Sequence, residues 1–415
     1  MSLPTPSAPA TNPTLDAAPA FSPLRRLLAR TRFGRLALTL PGGRSIEVAG
    51  REPGPHASLR LLSWRPIARL LFQGDLGLAL SFRDGEWESP DLLTLFEFGM
   101  ANEAAWGSLL KGRGPSRWLA RLLHSARRNS RRGSRHNISF HYDLGNEFYR
   151  LWLDDSMLYS SALFSDAADD TLEAAQARRL DAIDRMLDTP RGADVLEIGC
   201  GWGTLAASLA CRHEARVTGL TLSAEQLAFA RERGQAWGVA DKLDLRLQDY
   251  RDVQGSFDRI VSIEMIEAVG EAYWPTYFAT LRDRLKPGGV VVLQAITIAD
   301  EHFDGYRQGA DFIQHCIFPG GMLPSPGVLR EQARRAGLVI EASHCFGADY
   351  GRTLAEWRRR FLASWPRIEP LGFDAAFKRL WTYYLSYCEA GFRAGRIDVG
   401  LYRLRAADDG APAAS

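Results

Sequence analysis

The chain of 415 residues has only five cysteines, and no two of them form a C-x-x-C pair. Their scattered spacing excludes a disulfide framework and a zinc-site pattern, so we expect reduced thiols and no metal. No apolar run approaches the roughly 20 residues that a bilayer-spanning helix needs. The first 20 residues also lack a basic start followed by an apolar segment. These absences predict a cytoplasmic protein.

Apolar residues are plentiful enough to fill one large core or two. They make up 46% of the chain, and a chain of this length is expected to divide into two units. We expect disorder at residues 1–20 and 407–415, a small α+β domain at 21–110 and a second domain at 136–406.

The first unit contains no visible catalytic constellation. We predict strands at Leu36–Leu40 and Leu76–Phe82, followed by a helix at Pro90–Met100. Its carboxylates are dispersed and its only histidine is His56. We therefore expect a structural or lipid-positioning domain.

One segment lacks acidic residues altogether. Between Lys111 and Arg135 the sequence has nine Lys or Arg and no Asp or Glu. Its first part, starting near Pro115, has the spacing of an amphipathic helix. A solvated interdomain linker and a contact with an anionic membrane surface both remain open. Nucleic acid is not expected, since no aromatic residues alternate along a basic face.

The most informative stretch, D-V-L-E-I-G-C-G-W-G-T at 194–204, joins a strand to a glycine-rich turn and a helix. Val195, Leu196 and Ile198 form the apolar run of a strand covered on both faces. Glycines at 199, 201 and 203 allow the backbone to approach a ligand. A dinucleotide enzyme would have G-x-G-x-x-G instead. The G-x-G-x-G spacing favours a class I methyltransferase that binds S-adenosylmethionine.

Strands and helices alternate from about residue 136 onward. We predict strands at 195–199, 215–220, 243–248, 257–262 and 290–297, and helices at about 203–212, 223–237 and 273–285. This alternation predicts an α/β fold with a doubly wound, mostly parallel, Rossmann-like sheet. Mostly helical insertions follow up to about 332 and from 353 to 394, with strand-like pieces near 338–346 and 399–405. We expect the helical insertions to cover a substrate.

Cofactor contacts are expected beyond the carboxyl ends of the strands. The second strand ends at Thr221 without the acid that commonly receives the ribose hydroxyls, so Gln226 is the candidate for that role. Ser223 has the position of a helix N-cap, which is compatible with a cofactor contact. After the third strand, Asp249 suits an adenine amino group and Tyr250 suits a stacked ring.

Four further motifs raise the specificity of this interpretation. They are R-H-N-I-S-F-H-Y-D-L-G-N-E-F-Y at 135–149, Y-S-S-A-L-F at 159–164, F-I-Q-H-C-I-F-P-G-G at 312–321 and Y-G-R-T-L at 350–354. With the glycine turn, they resemble the cyclopropane-fatty-acyl-phospholipid synthase family over about 136–405. The resemblance implies an S-adenosylmethionine-dependent C-methyltransferase that forms cyclopropane rings on unsaturated phospholipid acyl chains while peripherally bound to the inner membrane surface.

Three alternatives stay open at this point. They are a same-family enzyme with a methyl-branched or methylene product, a small-molecule methyltransferase and a non-catalytic lipid-binding protein. A homodimer also stays open.

The strand ends and the resemblance together give the expected site residues. The expected cofactor contacts are Tyr142, Tyr159, Ser160, Glu197, Gly199, Gly201, Gly203, Thr221, Ser223, Gln226, Asp249 and Tyr250, and the expected acyl chain contacts are Phe312 and Phe318.

The chemistry requires a base in a dry pocket. Attack of an alkene on a sulfonium methyl leaves a carbocation that water would capture, and a proton must then be removed. The family typically holds a bicarbonate ion as this base. Glu267, Tyr350 and Cys388 match its ligands, and Ile296 falls at the backbone contact.

Three positions depart from the family pattern. Ser161 stands where a cysteine is usual, Gln294 where a histidine is usual and Glu264 where a glycine is common. If 262–269 is helical, Glu264 and Glu267 share a face and either could be the base. Three hypotheses stay open: Glu264 replaces bicarbonate, bicarbonate is retained, or Glu264 is structural.

Overall fold

The computed structural model describes residues 21–107, 144–167, 169–309 and 312–407. Its contacts divide the chain into two compact units, residues 1–114 and 115–415. The predictions for Tyr142, for the basic segment Lys111–Arg135 and for both termini lie outside the described residues.

The first unit contains a four-stranded sheet with the order β2-β1-β3-β4. Strand β1 pairs antiparallel with β2 and parallel with β3. The elements are β1 Phe33–Thr39, β2 Ser45–Ala49, β3 Glu52–Leu61 and β4 Trp87–Glu88, with helices α1 Phe21–Leu28, α2 Arg65–Gln73, α3 Asp75–Arg83 and α4 Leu92–Trp106. This confirms the small α+β fold.

The predicted strand at Leu76–Phe82 is wrong, because these residues lie inside α3. A short apolar run does not distinguish a buried strand from a buried helix. Gly74 turns the chain at φ 65°, and α3 then packs closely on α2. A Cβ atom at Gly77 would lie only 2.3 Å from the carbonyl oxygen of Arg69.

Asn102 joins α4 to β1. Its side chain is fully buried; Oδ1 accepts from the backbone N–H of Arg32 at 2.7 Å and of Phe33 at 2.9 Å. Nδ2 donates to the carbonyl oxygens of Phe33 at 2.9 Å and Phe98 at 3.0 Å. The amide is thereby fully satisfied inside the core.

The second unit contains a seven-stranded sheet with the order β10-β11-β9-β8-β5-β6-β7. Strands β9, β8, β5, β6 and β7 are parallel, while β11 is antiparallel to both β9 and β10. Their bounds are β5 Asp194–Ile198, β6 Arg216–Thr221, β7 Leu243–Leu247, β8 Phe257–Ile263, β9 Leu285–Ile298, β10 Leu338–Cys345 and β11 Ile397–Ala406. The predicted doubly wound, mostly parallel sheet is confirmed.

Helices flank this sheet, and the strands of its centre are buried. They are α5 Asn146–Arg150, α6 Leu172–Leu187, α7 Thr204–His213, α8 Ala224–Ala236, α9 Ile266–Val269, α10 Trp274–Arg284, α11 Asp300–Arg307, α12 Phe312–Cys316, α13 Pro326–Arg335, α14 Gly347–Ala363, α15 Trp365–Ile368 and α16 Ala375–Arg393. Helices α14 and α16 pack along each other. Among the described residues, no helix combines the length and apolarity needed to cross a membrane.

Candidate active site

A pocket opens beyond the carboxyl ends of β5, β6 and β8. Gly199 and Gly201 of the glycine turn line it, and the three glycines of the turn, Gly199, Gly201 and Gly203, have φ 83°, 52° and 80°. A Cβ atom on Gly199 would lie 2.4 Å from Sδ of Met265. Glycine is therefore required for both the backbone conformation and the space.

Most of the predicted cofactor residues line this pocket. They are Tyr159, Ser160, Glu197, Gly199, Gly201, Thr221, Gln226 and Tyr250. Within the described part of the chain, the Glu197 Oε2 and Tyr250 Oη atoms are buried without hydrogen-bond partners. Buried polar atoms are normally satisfied, so a polar ligand is expected to complete this site.

Three other predicted cofactor residues are not among those lining the pocket. Gly203 packs against α8, where a Cβ atom would lie 2.7 Å from Cβ of Ala230. Ser223 caps α8 by accepting from the N–H of Gln226 at 3.3 Å. The Asp249 carboxylate is held by Arg251, with Nε 2.8 Å from Oδ1 and Nη2 2.6 Å from Oδ2.

The Glu264 carboxylate lies at the pocket wall and accepts three hydrogen bonds. Oε1 accepts from the backbone N–H of Ser161 at 2.9 Å and from Nε2 of Gln294 at 2.7 Å. Oε2 accepts from the Tyr350 hydroxyl at 2.6 Å. Three predicted site residues, Ser161, Gln294 and Tyr350, thus donate to a fourth, Glu264.

Residues 262–269 do not form one helix, so the condition under which Glu264 and Glu267 would share a helix face is not met. Strand β8 continues to Ile263, which pairs with Gln294 of β9, and α9 begins only at Ile266. Between them Glu264 has φ 51°, a left-handed conformation that is unfavourable for residues other than glycine. Strain of this kind persists where surrounding contacts enforce it, which is common at functional sites.

Burial raises the pKa of Glu264, and four groups oppose that shift. Hydrogen bonds from Tyr350 and the Ser161 backbone, the charge of Arg179 and the Gln294 amide all lower it. A carboxyl that is desolvated yet held by donors in its ionised form is suited to act as a base.

Glu267 lies beside this carboxylate and behaves differently. Its Oε1 accepts from the backbone N–H of Ile296 at 2.5 Å, while Oε2 is buried without a partner among the described residues. Burial and then the charge of Glu264 raise the pKa of Glu267. Of two neighbouring carboxyls, the one with fewer donors retains a proton more readily, so Glu264 is the better candidate base.

The side chain of Ser161 does not donate to Glu264. The Ser161 hydroxyl donates to the carbonyl oxygen of Ala162 at 3.0 Å. Cys388 lies on α16, close enough to Tyr350 and Tyr384 to affect both electrostatically.

Aromatic side chains of α16 connect the cofactor pocket to the predicted acyl contacts. The hydroxyls of Tyr159 and Tyr384 are 2.9 Å apart. Phe318 lies edge-on to Tyr384 at 6.1 Å between ring centroids, and Phe312 lies edge-on to Tyr383 at 4.8 Å. Phe312 and Phe318 therefore lie along the helix that carries Cys388.

Arg179 also lines the pocket and was not among the residues predicted from the sequence. The buried positions of α6 are Leu172, Ala175, Gln176, Arg179, Ala182, Ile183 and Leu187. This spacing is that of one helix face. An arginine and a glutamine inside an otherwise apolar stripe were the available signal. Within the described ranges, no cluster of three or more His, Cys, Asp or Glu side chains could hold a metal ion.

The chain is similar to known proteins over most of its length. The family described as "Mycolic acid cyclopropane synthetase" matches residues 129–401. The chain is 39% identical over 395 residues to the tuberculostearic acid methyltransferase UfaA1 of Mycobacterium tuberculosis, covering 91% of this chain and 90% of the relative. It is also 39% identical over 373 residues to the cyclopropane-fatty-acyl-phospholipid synthase of Escherichia coli K12, covering 88% and 91%.

Solved structures give the same result. The cyclopropane synthase MmaA2 from Mycobacterium tuberculosis superposes with a TM-score of 0.61 at 29% identity, covering 65% of this chain and 97% of that one. The mycolic acid cyclopropane synthase CmaA1 in complex with SAH and CTAB gives the same TM-score, identity and coverage.

Proposed function

Because this chain belongs to the mycolic acid cyclopropane synthetase family, we propose that it transfers a methyl group from S-adenosylmethionine to the double bond of an unsaturated phospholipid acyl chain. We further propose that the product is a cyclopropane ring and that Glu264 accepts the proton released. The protein is a methyltransferase of a family that acts on lipids.

One observation carries the assignment of the base. Tyr350, Gln294 and the backbone of Ser161 stand at positions that the family uses to bind bicarbonate, and here all three donate to the Glu264 carboxylate. A second anion at the same donors would meet the charge of Glu264 at close range. This geometry supports a protein carboxylate in place of the dissolved ion.

The proposed reaction balances without a further reactant. S-adenosylmethionine supplies a methyl group on a positively charged sulfur. The alkene π electrons form the new carbon–carbon bond as the methyl–sulfur bond breaks, and its electron pair leaves with the sulfur of S-adenosylhomocysteine. Glu264 then takes one proton from the transferred carbon, whose C–H electrons close the ring onto the cationic carbon. The aromatic residues along α16 exclude water and stabilise positive charge through their ring faces.

A second product is favoured by one comparison. A relative that matches 91% of this chain is named a tuberculostearic acid methyltransferase. If the proton leaves from a neighbouring carbon instead of the transferred one, the ring does not close and a methyl-branched alkene results. The residues that hold the chain relative to Glu264 decide between these products.

Product analysis tests the reaction. Purified protein is incubated with methyl-labelled S-adenosylmethionine and vesicles of a mono-unsaturated phospholipid, and lipids are examined by mass spectrometry and proton NMR. We expect label in the acyl chain and cyclopropane proton signals, with no incorporation into saturated vesicles. Vinyl signals with retained label would support the second product. Label in small molecules without vesicle dependence would contradict a lipid substrate.

Variants of Glu264 test the base. We expect Glu264→Gln and Glu264→Ala to lower kcat by about 10²–10⁴-fold. Wild-type activity is expected to be the same in bicarbonate-free buffer and with added bicarbonate. Full activity in both variants would remove Glu264 from the mechanism. A wild-type rate that requires bicarbonate would favour the dissolved ion.

The remaining part of the proposal is peripheral binding to the inner membrane surface. It is supported by the excess of Lys and Arg between Lys111 and Arg135 and by the anionic charge of such surfaces. Sedimentation with vesicles tests it: binding should rise with anionic lipid content and fall with salt. Equal binding to neutral vesicles at all salt concentrations would contradict it.

A further inference from the structure

Arg179 is a cation buried in the core of the second unit. It lies on α6 with 1% of its surface exposed. Its Nε donates to Oε1 of Gln176 at 3.0 Å and its Nη1 to Oε1 of Gln294 at 3.4 Å. Nη2 has no hydrogen-bond partner among the described residues.

Stability alone does not explain this arginine. Its hydrogen-bond acceptors are neutral amides, while desolvation of a guanidinium costs several kcal/mol. Arg259, another buried arginine of this unit, has more hydrogen bonds: it donates to the carbonyl oxygens of Leu187 and Asp188 from several nitrogens. A poorly compensated buried charge that lines a ligand pocket points to a role in the site.

Gln294 connects Arg179 to Glu264. Its Oε1 accepts from Arg179, and its Nε2 donates to Oε1 of Glu264 at 2.7 Å. An amide has one acceptor end and one donor end. With its oxygen bound by a cation, the amide can present only its NH₂ group to the carboxylate. A rotated amide would place two oxygens in contact.

We propose that Arg179 is a positioning residue for Glu264: it fixes the orientation of the Gln294 amide and holds the Glu264 carboxylate ionised. This inference rests on the proposed function, in which Glu264 is the base. The positive charge acts across a low-dielectric core, where its field is strong. Arg179 does not itself touch the reacting atoms.

Several other ionisable groups face this carboxylate or its arginine. Tyr350 of α14 and Glu267 of α9 act on Glu264, and Asp154 and Glu197 act on Arg179. Tyr159 and Cys388 affect the pKa of Tyr350, which in turn donates to Glu264. Of the groups that face Glu264, Arg179 carries the positive charge, so its removal must raise the pKa of Glu264.

The pH dependence of kcat tests the proposal. In Arg179→Met we expect the acidic limb to move up by about one pH unit, which is about a tenfold loss on that limb. The rate should return to within about threefold of wild type at alkaline pH, where Glu264 is ionised again. Arg179→Lys keeps the charge and should restore most of the wild-type profile. KM for S-adenosylmethionine should stay within about twofold.

Two control variants separate this role from a structural one. Arg259→Met removes a comparably placed arginine and should lower thermal stability without moving the pH profile. Gln294→Leu breaks the connection and leaves Arg179 in place. It should shift the limb in the same direction, and the double variant should shift it by less than the sum of the two.

The outcomes are distinguishable. An unchanged limb in Arg179→Met, measured on folded protein, would overturn the proposal. A raised KM for S-adenosylmethionine with an unchanged limb would assign Arg179 to the cofactor instead. If Arg179→Met does not fold, the profiles of Arg179→Lys and Gln294→Leu decide in the same way. Full activity of Glu264→Gln, measured in parallel, would overturn the proposed function rather than the role of Arg179.

Discussion

The three donors to Glu264 differ in how mutation can remove them. Tyr350 and Gln294 donate through side chains, whereas Ser161 donates through its backbone N–H and turns its hydroxyl towards Ala162. A backbone donor is insensitive to the identity of its side chain. Ser161 and Gln294 both depart from the family pattern, but only the Gln294 contact depends on the side chain.

We therefore predict that Ser161→Ala retains kcat within about threefold, since only a hydroxyl bond to a carbonyl is lost. Gln294→Leu should lower kcat at neutral pH by about tenfold or more, because a buried charged acceptor loses a donor worth about 1.5–3 kcal/mol. Steady-state kinetics on vesicles of mono-unsaturated phospholipid measure both. Equal losses in the two variants would contradict the geometry.

At the level of elements, the connection between α4 and β1 depends on one amide. Asn102 makes four hydrogen bonds there while fully buried. Replacing it leaves two donors and two acceptors of the backbone without these partners. The loss of stability should be confined to the first unit, which contains Asn102.

We predict that Asn102→Leu lowers the free energy of unfolding of the first unit by about 3 kcal/mol or more. Differential scanning calorimetry should show an earlier transition for that unit. Thr39→Val is the control, because it removes a hydrogen bond to Ser45 that is exposed and should change stability by less than about 0.5 kcal/mol. Similar shifts in both variants would argue against the role of Asn102.

Helices and strands with a strong hydrophobic pattern could be predicted from the sequence. Segments whose conformation is decided by tertiary packing could not. The strands at 195–199 and 257–262 and the glycine turn between strand and helix agree with the structure. Leu76–Phe82 could not be assigned, because its apolar run suits either a strand or a helix packed on α2. The turn at Glu264 was also missed, since a glutamate at positive φ has no sequence signature.

The candidate site was predictable where a motif marked it. Tyr350, Gln294 and Glu264 were identified from the resemblance, and the structure brings them into contact. Arg179 has no motif, and its importance follows only from the packing of α6 against the sheet. The Ser161 hydroxyl was expected at the site, yet its rotamer directs it elsewhere. A sequence does not record a rotamer.

For the whole molecule, buried carboxyls make stability depend on pH. Burial raises the pKa of Glu197 from 4.5 to about 8. Between these values the unfolded chain has lost this proton and the folded protein keeps it. The stabilisation of the folded state by this retained proton is therefore fully present below pH 4.5. It is lost as pH rises towards about 8, at about 1.4 kcal/mol per pH unit.

We predict that the melting temperature of the ligand-free protein falls as pH is raised from 5.5 to 8. Glu197→Gln, which cannot ionise, should show a shallower slope over the same range. Differential scanning fluorimetry in buffers of matched ionic strength measures both. An unchanged slope in the variant would show that Glu197 does not retain its proton in the folded state.

The left-handed backbone at Glu264 places activity and robustness in opposition. A glycine there would adopt φ 51° without penalty and would remove a desolvated carboxylate from the interior. Glu264→Gly should consequently melt higher than Glu264→Ala, because both variants leave the same donors without the carboxylate and only glycine adopts this conformation freely, while both turn over far more slowly than wild type. A Glu264→Gly variant that melts lower than Glu264→Ala would disprove this. The protein thus keeps a backbone conformation that lowers its stability at one residue, because catalysis needs a carboxylate there. Selection for heat resistance alone would replace that residue.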